Sequence, residues 1–123
     1  MYSFVSGSDN WNADVETVLR MFEKNFNEIL SQSEYSVERN GTTGEEMVNL
    51  MRKDMKTRVG YIVPKRREQL VDFGLQIDLV ARVKRQLDLP QETELKPGRY
   101  PGWRAFRKIP YEKAIEILRV LGR

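Results

Sequence analysis

Apolar residues recur every three or four positions through NADVETVLRMFEKNFNEILSQ, at Val15, Val18, Leu19, Phe22, Phe26, Ile29 and Leu30. That spacing lays one stripe along a helix and predicts a helix over about residues 12–31, with Asn10 or Asn12 as its cap and Trp11 as a staple on the stripe. A short alternation around Tyr35 and Val37 predicts a strand, and the Asn40-Gly41 dipeptide after it suits a tight turn. Thr43 followed by Glu46 reads as a capping box that opens a second helix with Met47, Leu50, Met51 and Met55 on its buried side.

The pattern RVGYIVP predicts a strand from Val59 to Val63 ended by Pro64. From Val71 to Val83 every odd position is apolar, which is a strand rhythm, but such a strand would exceed the usual five or six residues. Good helix formers in IDLVARVKRQLDL and the stop before Pro90 favour a helix over about 75–88, started by Asp72 or Gly74. Residues 90–109 hold three of the five prolines without any period and predict a long loop. The chain then closes with a helix that has Pro110 in its first turn and Tyr111, Ala114, Ile115, Leu118 and Leu121 on its inner face. The expected fold is α+β and helix-rich: one domain over residues 1–123 with about four helices and two or three short strands.

A length of 123 residues, 40% hydrophobic and 32% charged, is that of a chain able to fold around one core. Its longest apolar runs fall well short of the roughly 20 residues that cross a bilayer, so no membrane association is expected. The first residues lack the pattern of a secretory signal, which makes a cytoplasmic location the expectation. There are no cysteines and no histidines. Thiolate chemistry, the Ser-His-Asp arrangement and the commonest metal ligand are all absent with them.

The net charge of +3 conceals a division. Residues 1–51 carry three cations against nine acids, and residues 52–123 carry eighteen cations against nine acids. A basic C-terminal half of this kind suits a polyanionic partner, because clustered Lys and Arg release the counterions of phosphates. The segment KPGRYPGWRAFRKIPYEK interleaves aromatic and cationic residues. Tyr100 and Trp103 have the chemistry to stack on bases, as does Phe106, while Arg99, Arg104, Arg107 and Lys108 have the charge to hold a backbone. Lys65, Arg66 and Arg67 form a second cluster after Pro64.

These features point first to a non-enzymatic accessory or regulatory protein associated with DNA or RNA. Its expected site is Lys65, Arg66, Arg67, Arg99, Tyr100, Trp103, Arg104, Arg107 and Lys108. The alternative is a protein-interaction module or inhibitor from a virus or mobile element that occupies a site on a larger host complex, with homodimerisation through the opposed charges as a further option. A third reading is a metal-dependent nuclease built on Asp72, Asp78 and Lys84. It is weakened by Arg82, which stands where common nuclease folds place a carboxylate. No cofactor is expected: GTTGEE lacks the lysine of a phosphate-binding loop, and SGSDN lacks the alternating glycines of a dinucleotide site.

Overall fold

The computed structural model describes residues 14–39, 46–94 and 102–123. In chain order these form α1 (Val15–Ile29), β1 (Tyr35–Arg39), β2 (Val48–Arg52), β3 (Thr57–Lys65), β4 (Leu70–Gln76), α2 (Ile77–Lys84), β5 (Thr93–Glu94), β6 (Trp103–Pro110) and α3 (Tyr111–Leu121). All strand pairs are antiparallel, and the sheet order is β1-β2-β3-β4-β6-β5. Five full strands and a two-residue edge strand make the molecule an α+β fold with as much sheet as helix. The helix-rich expectation of about four helices and two or three strands is thereby overturned.

Each correction has a local cause. Met47 to Met55, read as a helix, contribute β2 and the hairpin after it. Hydrogen bonding to β1 on one side and β3 on the other prevails over the helical spacing of the methionines. Residues 70–84 are part strand and part helix: Val71, Phe73 and Leu75 alternate into the core, then the chain turns into α2 at Ile77. Asp72 and Gly74 thus lie inside a strand and start no helix. The expected loop over 90–109 contains β5 and β6, and β6 pairs with β4 along nearly its whole length. Pro64 does not end β3 but lies within it, beyond the last β2 partner, Ile62 opposite Val48, where a missing N–H breaks no bond to β2. Pro110 ends β6 and caps α3 rather than sitting in its first turn.

The α1 helix begins where Asp14 accepts the Thr17 N–H at 2.8 Å. The proposed caps Asn10 and Asn12, Trp11 and the Asn40-Gly41 turn lie outside the described residues. At the other end of α1, Lys53 from the β2–β3 hairpin donates to the carbonyls of Leu30, Ser31 and Ser33, offsetting the negative end of the helix dipole. The buried stripe of α1 meets Tyr111 of α3: ring centroids of Phe22 and Phe26 lie 5.7 and 5.9 Å from that of Tyr111. Asn25, buried among them, donates to the Tyr111 hydroxyl at 3.2 Å.

Helices α1, α2 and α3 pack on one face of the sheet, and a single cluster of apolar side chains fills the space between. The register assigns the faces. Val37, Leu50, Val48, Ile62, Phe73 and Phe106 pair across successive strands on the helix side. The interleaved row Glu38, Asn49, Tyr61, Gly74 and Ala105 points the other way, to a face on which no helix packs among the described residues, although only Glu38 of the row is exposed. The outer edge of β1 is closed by side chains. Asn27 of α1 both donates to the Val37 carbonyl at 2.9 Å and accepts its N–H at 2.8 Å, and Glu23 accepts the Arg39 N–H. An edge blocked in this way cannot template another strand.

Candidate nucleic-acid interface

A sheet irregularity shapes the face opposite the helices. Between Val71 and Phe73 the β4–β6 register slips, so Asp72 meets both Arg107 and Lys108. Lys108 adopts a left-handed conformation there (φ 52°), and its N–H donates to the Asp72 carboxylate at 2.8 Å. The other oxygen of Asp72 faces Lys65 Nζ at 3.6 Å and Arg107 Nη1 at 3.5 Å. Asp72 is 5% exposed, and this cationic company offsets the cost of burying its charge. It organises the bulge and is not free to hold a metal.

The same bulge gathers cations that are distant along the chain. Lys65 leaves β3, Arg66 and Arg67 lie in the turn that follows, and Lys108 reaches that turn through an ion pair with Glu68 at 3.0 Å. The side chains of Lys65, Arg107 and Lys108 remain 38%, 53% and 58% exposed, so each keeps a water-facing surface despite its carboxylate. Arg67 is exposed as well. Arg66 is half-buried and lies near enough to Asp14 to help lower that carboxyl below its ordinary value, a shift owed first to the Thr17 N–H. Beside the turn lies an open depression of about 310 Å³ between Glu46 and the segment 63–68. Five cations thus face three carboxylates, Glu46, Glu68 and Asp72, at one end of the sheet.

Trp103 lies further along the same face. Its ring stacks with that of Tyr61 (centroids 6.3 Å apart, planes at 17°), and the Arg58 guanidinium carbon is 5.6 Å from the indole centroid. Tyr61 in turn lies flat over Gly74, where an added Cβ would sit 2.2 Å from the phenol ring. A glycine covered by a cross-strand aromatic is a recognised way to stabilise a strand, so this pair also serves the fold. Arg104, one residue beyond Trp103, takes the opposite side of the sheet: it pairs with Leu75 and lies near Glu92. Phe106 is fully buried in the core and has no surface for a base. Arg99 and Tyr100 lie outside the described residues.

Towards β1, Asn49 is 9% exposed and its side-chain carbonyl oxygen has no donor among the described residues. A buried acceptor left without a partner costs about 1–3 kcal/mol and calls for an explanation. Neither Asn49 nor the Arg58–Tyr61 segment stood out in the sequence; the one available signal was a glycine at the centre of an alternating run.

The acid pair considered for metal chemistry does not assemble with its lysine. Asp72 is engaged in the bulge, Asp78 is exposed in the first turn of α2, and Lys84 pairs with Glu92 at 2.9 Å. Among the described residues no group of three or more acids could hold a metal ion. No described helix is long and apolar enough to cross a membrane. The chain matches no family model, no curated protein and no solved structure.

Proposed function

We propose that this protein binds the phosphate backbone of nucleic acid at the basic end of the sheet face opposite its helices, in the cytoplasm, and acts by binding rather than turnover. The observation that carries this reading is the meeting of Lys65 and Arg67 with Arg107 and Lys108 around one bulge, each with a water-facing side chain. Phosphates approaching this end would displace counterions, and the carboxylates of Asp72 and Glu68 keep the cations splayed and ordered beforehand. Arg104 has no part in this surface, and Trp103 contributes as the neighbour of Tyr61 and Arg58.

Fluorescence anisotropy with labelled single- and double-stranded oligonucleotides tests the reading. Affinity should fall steeply between about 50 and 200 mM salt, with a logarithmic slope of roughly −0.9 per duplex phosphate contacted or −0.7 per single-strand phosphate. Arg107→Glu should weaken all sequences alike and flatten that slope by about one contact. Absence of binding at low salt, or binding indifferent to salt, would count against it.

A further inference from the structure

The open depression beside the β3–β4 turn collects three cations, Lys65, Arg66 and Arg67, and two acids, Glu46 and Glu68. Glu68 is held by Lys108 at 3.0 Å, and Asp72 below the turn divides its one charge between Lys65 and Arg107. Glu46 is then the remaining acid against the three lining cations. Arg67 is exposed and makes no ion pair among the described residues. The depression leads on to Lys108, which reaches the turn through Glu68, and to Arg107, which shares Asp72 with Lys65. Back along β3 from Val63 the same face is closed: Tyr61 and the cross-strand row Asn49, Gly74 and Ala105 are buried and offer a strand no groove to follow.

We infer that this depression takes the terminal phosphate of a nucleic-acid strand, set among Lys65, Arg66 and Arg67, while the strand leaves over Lys108 and Arg107. The inference rests on the nucleic-acid reading above and adds a preference for strand ends to it. A terminal phosphate monoester carries about −1.5 to −2 charge at pH 7, with a second pKa of about 6, whereas a phosphate linking two nucleotides carries a single charge. Three cations less Glu46 leave an excess of two, which matches the monoester and exceeds the diester. A strand running on through the depression would carry its next phosphate towards Glu46 or onto the buried row. A strand that ends there meets neither. Arginine can hold a phosphate through two parallel N–H bonds, so Arg67, exposed and uncommitted, is the residue on which the end preference most depends.

The test is anisotropy with the full chain and internally labelled oligo-dT of one length, carrying a 5′-phosphate, a 3′-phosphate or hydroxyls at both ends, at one salt concentration. A phosphorylated end should raise affinity about tenfold over the hydroxyl-ended strand, within what one hydrogen bond to a charged group supplies. An advantage at either end supports the inference, and the better of the two gives the polarity of the strand. The advantage should shrink between about pH 7.5 and about pH 5.5, as the monoester regains its second proton. Arg67→Gln should bring the affinities of phosphorylated and hydroxyl-ended strands together, while Arg107→Gln should weaken both alike and keep their ratio. Equal binding of all three strands with the expected salt slope would overturn the end preference and leave the backbone reading standing. Absence of binding by any oligonucleotide at low salt would remove both. An advantage that is indifferent to this pH change, one that survives in Arg67→Gln, or tighter binding of a phosphoserine peptide than of any phosphorylated strand would also overturn it.

Discussion

The two faces of one sheet are governed by different physics. On the helix side, Val48, Leu50, Ile62, Phe73, Leu75 and Phe106 are all fully buried and meet apolar neighbours from three helices. On the other side the same strands carry Glu38, Asn49, Arg58, Tyr61 and Asp72, of which Asn49, Tyr61 and Asp72 are buried, with Trp103 and Arg107 from β6. The first face is complete in itself. The second contains a buried carbonyl without a donor among the described residues and a concentration of positive charge. Stability therefore resides mainly in one face, and the proposed recognition in the other.

Substitutions that act on one face and spare the other sharpen this contrast. Phe73→Ala, in the centre of the closed face, should cost about 3–5 kcal/mol in urea unfolding, the largest effect expected. Gly74→Val lies one residue away but strikes the opposite face: its added carbons must displace the Tyr61 ring. A loss of about 1–3 kcal/mol is expected from such overpacking, accompanied by a change in Trp103 fluorescence that Phe73→Ala lacks in native conditions. Asn27→Ala removes both hydrogen bonds that close the β1 edge at Val37 and should cost about 1–3 kcal/mol. It should also make the protein prone to concentration-dependent association, read by light scattering.

The smallest effect belongs to the ion pairs around the sheet. Glu92 is held below the ordinary carboxyl value chiefly by its hydrogen bond from Lys84. A depressed carboxyl contributes stability at pH values above its unfolded-state value and loses that contribution as pH falls through the folded-state value. The small difference in melting temperature between the wild type and Glu92→Gln should therefore be present at neutral pH. It should vanish well below a pH of about 4, the usual region for a free glutamate.

Legibility in the sequence followed the same division. The stripes of α1 and α3 and the alternation at Tyr35 and Val37 could be read because each is a one-sided pattern facing a single core. The 71–83 run was harder, since its odd positions stay apolar while the backbone changes from β4 to α2 at Ile77, and periodicity alone cannot mark that change. Met51 of β2 falls on a helical spacing with Met47, Leu50 and Met55, although both sides of that strand are paired. In β6, Trp103, Arg104, Arg107 and Lys108 looked like one basic loop. Strand geometry sends Arg104 to the far side, and only the bulge at Asp72 brings Arg107 and Lys108 beside Lys65. A bulge depends on partners from a distant segment, so its effect on side-chain direction is hidden from any local reading.

The most direct test of the basic end as the phosphate contact is a titration of the isotope-labelled protein with an unlabelled oligonucleotide, followed by backbone amide NMR. The account predicts salt-sensitive shifts concentrated in residues 65–68 and 107–109, with the amides of α1 from Val18 to Phe26 unmoved. Shifts centred on the helices, or none in those two segments while the oligonucleotide is bound, would contradict it.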